Sequence, residues 1–133
     1  MSDEQRDAAA QWLAKAKGDW KTVTLLSGHE DCPRDSVCFH CQQYVEKLLK
    51  ALLTLHAIEA PRTHDLKRLA QLVVAIAPEL AELMDDADLL TDHAVQTRYP
   101  DEWRIIESAE MSKMKGLAER FAAILLPKIE TRP

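Results

Sequence analysis

The chain has 133 residues, a length that suits one compact domain. Ala and Leu supply most of its 47% hydrophobic residues, whereas Gly totals 3 and aromatic residues make up 5%. Good helix formers therefore dominate, which argues against a β-sandwich or barrel, and no stretch approaches the roughly 20 apolar residues of a membrane span. The net charge of -5 gives no general attraction to nucleic acid, because binding phosphate needs a local excess of Lys and Arg.

The beginning of the chain and its cysteines predict a compartment. The polar, acidic segment from Met1 to Arg6 lacks the basic start and apolar run of a secretory signal. The three cysteines are odd in number and lie within ten residues, from Cys32 to Cys41, which favours reduced thiols over a disulfide framework. We therefore expect a cytoplasmic protein.

The first helix is predicted from a cap and an apolar stripe. Ser2 and Gln5 have the spacing of a capping box, and Gly28 suits a left-handed helix end. Apolar residues recur between them at steps of three and four. They are Ala9, Trp12, Leu13, Ala16, Trp20 and Val23.

The second helix is predicted to begin near Pro33 and to be the most buried. Its broad apolar face contains Val37, Cys38, Cys41, Tyr44, Val45, Leu48, Leu49, Leu52, Leu53 and Leu55. Opposite this face, polar residues recur at steps of four and three, which places them on one side of a helix. This polar row is Ser36, His40, Gln43, Lys47, Lys50 and Thr54.

Three further helices are predicted in the second half of the chain. Ala60-Pro61 ends the second helix, and Thr63 is the predicted cap of a short third helix with Leu66, Leu69, Val73 and Ile76 facing inward. A fourth helix follows Pro78 and has Leu80, Leu83, Met84, Ala87 and Leu90 on its core face. Asp101 is the predicted cap of the last helix, whose core face has Trp103, Ile106, Met114, Leu117, Phe121 and Ile124.

Together these elements predict an all-α domain over residues 1–133. Short connections favour antiparallel neighbours, so we expect an up-and-down bundle of four main helices with the short third helix across one end. Burial is the default expectation for Trp12, Trp20 and Trp103, and Tyr99 is expected to plug the end of the bundle.

The sequence of the second helix resembles a known family. The run FHCQQYVEKLLKALL, from Phe39 to Leu53, is similar to the signature helix of HEPN domains, nucleotide-binding helical domains of higher eukaryotes and prokaryotes. Four other features agree with it and extend the resemblance over nearly the whole chain. They are the Ala-x-x-Trp-Leu-x-x-Ala pattern from Ala9 to Ala16 followed by Asp19, the Thr63-His64-Asp65-Leu66 step, the turn from Thr97 to Asp101, and a helical tail.

This resemblance implies an HEPN-like bundle and a choice of roles. Many HEPN domains form homodimers and are encoded beside a minimal nucleotidyltransferase, as a toxin-antitoxin-like pair. Some are metal-independent ribonucleases, and others are inactive binding modules. The ribonucleases use an Arg and a His separated by four to six residues, usually near the start of a late helix, because a His can move the proton and an Arg can hold the phosphoryl charge.

That catalytic pair is missing from its expected place. No His follows Arg98, and the only match to the spacing is Arg34 with His40 at the start of the second helix. Motifs outside their structural context usually mislead, so we lean away from an enzyme. A metal-independent ribonuclease toxin using Arg34 and His40, with RNA as its partner, is the alternative.

The polar row is the preferred candidate site. His40, Gln43 and Lys47 offer a switchable imidazole, an amide and a cation, and Arg98 adds a bidentate fork if its turn packs beside them. We therefore predict a dimeric module that binds a nucleotide or a nucleotidyltransferase partner, with no resident cofactor and no membrane partner. A solvated helix face, in a purely structural or scaffolding dimer, is the second alternative.

The cysteine cluster is a weaker candidate for a metal site. His29, Cys32, Cys38 and Cys41 are four zinc-capable residues, and Cys-x2-Cys is a familiar half-site. However, Cys38 and Cys41 lie on the predicted core face of a helix, where thiols are most often small buried hydrophobic groups. Structural zinc is therefore the less favoured interpretation.

Overall fold

The computed structural model describes residues 1–130, so the last three residues of the predicted domain lie outside the described part. Its five helices are α1 (Asp3–Ser27), α2 (Arg34–Leu55), α3 (Leu66–Val73), α4 (Met84–Thr91) and α5 (Ser108–Glu130). Two 3-10 segments, Pro78–Leu83 and Pro100–Glu102, precede α4 and α5. No strand occurs within residues 1–130, which confirms the predicted all-α bundle.

The core is built around α2, which packs mainly against α1 and α5 and also contacts α3 and α4. All ten residues of its predicted apolar face are buried, and Phe121 of α5 is fully enclosed beside them. The broad apolar face of α2 therefore packs against both α1 and α5. Only a narrow strip of α2 is left for polar side chains. Trp12 and Trp20 are half-buried and pack against this core, as predicted.

The observed cap at the start of α1 matches the sequence prediction, whereas the end of α1 and the start of α3 differ from it. Ser2 and Gln5 form the predicted capping box. Gly28 ends α1 in a right-handed conformation, with φ -79°, because its N–H bonds to the carbonyl of Leu26 and needs no left-handed turn. The cap of α3 is Asp65, whose carboxylate accepts from the N–H of Arg68, so the predicted cap at Thr63 is wrong by two residues.

The predicted start of the last helix is also wrong. Asp101 lies in a single 3-10 turn, Trp103 has extended backbone, and α5 begins at Ser108. The adjacent Ile105 and Ile106 are β-branched, a side-chain class that disfavours helix and suits extended backbone. Trp103 is consequently 70% exposed rather than part of the core, and Tyr99, which is 75% exposed, does not plug the bundle.

None of the helices within residues 1–130 is both long enough and apolar enough to cross a bilayer.

Candidate binding site

The polar row of α2 lies along the strip that the core leaves open. All six of its residues are partly buried, because α1 and the segment before α3 flank the row. Its length from residue 36 to residue 54 is roughly 27 Å at the rise of an α-helix. The row is therefore neither a fully solvated face nor part of the apolar core.

A buried carboxylate of α1 fixes two members of the row. Asp19 is only 7% exposed. Its Oδ1 lies 2.7 Å from Nδ1 of His40, and its Oδ2 lies 2.6 Å from Nζ of Lys47. Because an ionised carboxylate only accepts hydrogen bonds, His40 donates through Nδ1–H, and Nε2 is the nitrogen left for another partner.

A second buried carboxylate repeats this arrangement on the other side of the row. Glu46, 4% exposed, accepts hydrogen bonds from Lys50 at 2.8 Å, His64 at 2.8 Å and Gln42 at 3.2 Å. Burial opposes the charged form of Glu46, but these hydrogen bonds outweigh it and lower its pKa below the ordinary value. Lys50 also lies 5.5 Å above the ring of Trp12, so its ammonium group contacts α1 as well.

Gln42 connects the neighbouring Gln43 to this second cluster. The fully buried Gln42 donates to the backbone carbonyl of His64 at 3.1 Å, and Gln43 donates to Oε1 of Gln42 at 2.8 Å. We call these two carboxylate clusters, together with Gln43, the α2 site. It consists of Asp19, His40, Gln43, Glu46, Lys47, Lys50 and His64.

Arg98 lies in a neighbouring groove of about 540 Å³. Arg34 and Arg104 also line this groove, together with the acidic residues Asp35, Asp92 and Glu102. Arg98 donates to the backbone carbonyl of Asp92 and forms no hydrogen bond with the α2 site. The groove nevertheless reaches the polar row, since Nε2 of Gln96, in the groove, lies 3.3 Å from Oγ of Ser36, the first residue of the row.

The family of this chain follows from comparing its sequence with models of known protein families. The model described as the HEPN domain matches residues 9–129. The chain belongs to the HEPN domain family. Comparisons with curated proteins and with solved structures gave no match.

Arg34 and His40, the catalytic pair of the alternative ribonuclease interpretation of this HEPN domain, contact two different elements. Arg34 donates to the carbonyl of Ile106 at 3.2 Å, whereas His40 faces Asp19 on α1. Since one phosphate must reach both groups, we expect no cleavage that depends on this pair. An RNA cleavage assay in chelator, comparing the wild type with His40→Ala, checks this, and activity lost in the variant would contradict it.

A histidine that the sequence reasoning missed lies in the groove of the HEPN domain. His93 is buried, and its Nε2 lies 3.0 Å from Oε2 of Glu110, which also holds Arg104 at 2.6 Å and 2.7 Å. Burial lowers the pKa of His93 despite the nearby carboxylate, while Arg104 lowers the pKa of Glu110. No sequence spacing predicts this contact, because it joins the end of α4 to the start of α5.

We expect His93 to make folding sensitive to acid. Because its pKa is lower in the folded protein than the ordinary 6.5, the unfolded chain binds the proton more readily, and stability falls as pH drops through that value. Thermal melts from pH 8 to pH 5 should show a smaller loss of Tm in His93→Gln than in the wild type. The exposed His29→Gln is the control and should retain the full loss, so equal slopes in all three proteins would count against this role.

The cysteines of the HEPN domain do not form a cluster with other metal-ligating groups. Within residues 1–130 no three His, Cys, Asp or Glu side chains are placed to hold a metal ion. Burial raises the pKa of Cys38 and of Cys41 to about 12, so both thiols are protonated at neutral pH and act as small buried hydrophobic groups. Cys32 is half-buried with its Sγ 3.5 Å from Sδ of Met111, and His29 is exposed on the preceding loop.

These environments predict different thiol reactivities. Iodoacetamide at pH 8 should modify Cys32 alone in the native protein, because Cys38 and Cys41 are buried and protonated. Mass spectrometry should find one adduct before denaturation and three after it. Cys32→Ser should give none in the native state, and a rapid second adduct on the native wild type would show that the interior thiols are accessible.

Proposed function

We propose that this HEPN domain is a dimeric, non-catalytic module of a cytoplasmic toxin-antitoxin-like pair, and that it binds a nucleotide through the α2 site. The observation that carries the proposal is the contact of buried Asp19 with both His40 and Lys47. A carboxylate that fixes an imidazole and an ammonium group reduces the entropy that a ligand must remove on binding. Gln43 supplies an amide between them, and Arg98 lies beyond Ser36 in the adjoining groove.

A titration with ATP, followed by NMR, tests the nucleotide part. Backbone resonances of His40, Gln43 and Lys47 should shift in a saturable manner, and Gln43→Ala should weaken binding without unfolding the protein, since it removes no charge. Gln11→Ala, which removes an amide from an exposed position of α1, is the matched control. Shifts confined to residues outside the α2 site and the groove would contradict the proposed site.

The proposed dimer has a natural contact surface in the segment before α5. Four large apolar side chains are exposed there, and we call them the 95–105 patch: Val95, Tyr99, Trp103 and Ile105. Arg34, Arg98 and Arg104 lie beside the acidic residues of the groove, so the region carries both signs of charge around an apolar centre. An isologous interface requires such self-complementarity, and Trp, Tyr and Arg are the residue types that dominate binding energy.

Sedimentation measurements test this dimer surface. Trp103→Ala should raise the dimer dissociation constant by roughly 30-fold, a loss of about 2 kcal/mol for a central aromatic residue. Leu25→Ser removes a similarly exposed apolar side chain from α1 and should leave the dimer unchanged. A monomeric wild type, or equal effects of the two variants, would reject the 95–105 patch as the interface.

The partner in the pair is proposed to be a minimal nucleotidyltransferase, as is common for the family. Co-expression with such a protein from the neighbouring gene should give a complex that survives gel filtration. If the neighbouring gene encodes no nucleotidyltransferase and none co-purifies, the pairing is rejected. Nucleotide binding is then judged separately, by the ATP titration.

A scaffolding role is the second candidate, and one observation favours it. Within residues 1–130 every buried side-chain nitrogen and oxygen has a hydrogen-bond partner, so the buried atoms of the α2 site need no ligand to satisfy them. The same ATP titration separates the two functions. A scaffold dimerises through the 95–105 patch with no saturable shift in α2.

A further inference from the structure

Residues 103–107 form an extended segment between the second 3-10 turn and α5. Trp103 has φ -70° and ψ 136°, and no helix, turn or bend interrupts the chain from there to residue 107. Side chains of an extended segment alternate between its two faces. Trp103 and Ile105 are 70% and 81% exposed, whereas Arg104 is tied to α5 by an ion pair and Ile106 packs against the core. One face of the segment is therefore held by the domain, and the other is open.

The main chain of this segment is also anchored on one side only. In an extended strand the N–H and C=O of one residue point to one edge, and those of the next residue point to the opposite edge. The C=O of Ile106 accepts from Arg34 at 3.2 Å, so the edge of Ile106 faces the start of α2. The opposite edge, which we call the outer edge, belongs to Trp103, Ile105 and Glu107.

The outer edge has open hydrogen-bonding groups. Within residues 1–130 the N–H groups of Ile105 and Glu107 donate to no atom, and the C=O groups of Trp103 and Ile105 accept from none. Two other groups of this edge are already used. The N–H of Trp103 donates to Pro100 at 3.2 Å, and the C=O of Glu107 accepts from the N–H of Met111 at 3.1 Å. An exposed extended edge with open N–H and C=O groups is a template for pairing with another strand.

We infer that two copies of the chain pair through their outer edges as an antiparallel ribbon, with Ile105 of one copy opposite Ile105 of the other. This inference rests on the proposed dimer and names the contact that joins the two copies. In this register the N–H and C=O of Ile105 bond to the same groups of the second copy, and the N–H of Glu107 donates to the C=O of Trp103. The N–H of Trp103 and the C=O of Glu107, which are already used, face each other. Every open group of the outer edge thus gains a partner.

The symmetry of this register identifies the occupant as a second copy. A two-fold axis at Ile105 makes the outer edge complementary to itself. The two Ile105 side chains lie opposite each other, and each Trp103 lies diagonal to Ile105 of the other copy, a separation that aromatic side chains span. The segment is also ordered before the copies meet, since Nε1 of Trp103 donates to the carbonyl of Arg98 at 3.0 Å. This order reduces the entropy cost of association.

Amide hydrogen exchange of the full chain, followed by NMR above and below the dimer dissociation constant, tests the pairing. The N–H groups of Ile105 and Glu107 should exchange at least about tenfold more slowly in the dimer, because they donate across the interface. The N–H groups of Arg104 and Ile106 point to the other edge, so their exchange should change much less with concentration. Protection that alternates along the chain distinguishes strand pairing from contact between side chains alone.

A proline variant tests the same main-chain contact by sedimentation. Ile105→Pro removes the central N–H from both copies and should raise the dimer dissociation constant by roughly 30-fold, the loss expected for two main-chain hydrogen bonds. Ile105→Val is the matched control, because Val is similar to Pro in size and keeps the N–H, and it should stay within about threefold of the wild type. Melting curves should show both variants folded, since the Ile105 side chain is 81% exposed and its N–H has no partner in a single copy.

The outcomes separate this inference from the proposed dimer. A dimer in which all amides of residues 104–107 exchange alike, or in which the proline and valine variants dissociate equally, overturns the strand pairing but leaves the dimer standing. A wild type that is monomeric at every concentration rejects both. Alternating protection that appears only when a nucleotidyltransferase is added, without self-association, overturns the second copy as the occupant of the outer edge.

Discussion

Replacing Glu46 by alanine should lower the free energy of unfolding by about 3 kcal/mol, the typical result of removing one partner from a buried ion pair. Glu46 is almost fully buried, and the side chain of Lys50 is only 13% exposed. Without Glu46, that ammonium group retains the ring of Trp12 as its only described partner. His64 also loses its side-chain contact, although Gln42 still holds its carbonyl.

Urea unfolding at pH 7 measures this loss, and two variants identify its cause. Glu46→Gln keeps the shape but not the charge, so it should be intermediate. Glu46→Leu combined with Lys50→Met removes both charges and should recover much of the stability, because well-packed apolar pairs can replace buried ion pairs. A double variant as unstable as Glu46→Ala would show that packing, rather than the unpaired lysine, causes the loss.

The same prediction has a pH dependence with a defined sign. The pKa of Glu46 is lower in the folded protein than the ordinary 4.5, so its contribution is present above that value and is lost as pH falls below it. The difference in stability between the wild type and Glu46→Ala should therefore narrow in acid. A difference that stays constant down to pH 3 would contradict the assignment of Glu46 as a charged partner.

Replacing Asp19 by alanine should cost about 2 kcal/mol, somewhat less than the loss at Glu46. Asp19 is buried, but the side chains of His40 and Lys47 are 25% and 22% exposed, so each can turn partly towards water. Solvent therefore offsets part of the lost pairing. Unfolding in urea at pH 7 measures the change.

A double-mutant cycle between positions 19 and 47 isolates the ion pair. Lys47→Met alone leaves the Asp19 carboxylate with His40 only, so adding Asp19→Leu to it should restore stability. Additive losses in the cycle would mean that Asp19 and Lys47 do not interact in solution. Asp3→Ala, on an exposed position at the start of α1, is the control and should change stability by less than about 0.5 kcal/mol.

Periodicity predicts the α2 site only in part. The steps of three and four from Ser36 to Thr54 correctly place His40, Gln43 and Lys47 on one strip of α2. Periodicity within one helix says nothing about the groups opposite, so the contacts of Asp19 and His64 are found only in the structure. Gln42 and Glu46 are polar residues spaced by four on the buried side, and that pattern is the sequence signal that could have indicated them.

The segment before α5 shows where local signals mislead. Trp103 and Ile106 fit the apolar period of the last helix, and Asp101 resembles a cap, but the period counts residues without testing whether the backbone is helical. Pro100 starts a 3-10 turn, and Nε1 of Trp103 donates to the carbonyl of Arg98 at 3.0 Å. These local bonds hold Trp103 outside the core and expose the aromatic surface that the sequence assigned to the interior.

The contact of Asp19 with both His40 and Lys47 has a consequence for how this chain can vary in length. One residue inserted between the capping box and Asp19 would rotate the carboxylate by about 100° around α1 and move it about 1.5 Å along the axis. Both partners on α2 would then be lost together. Insertions in related sequences should therefore accumulate in the connection at residues 28–33, and substitutions at positions 19, 40 and 47 should occur jointly.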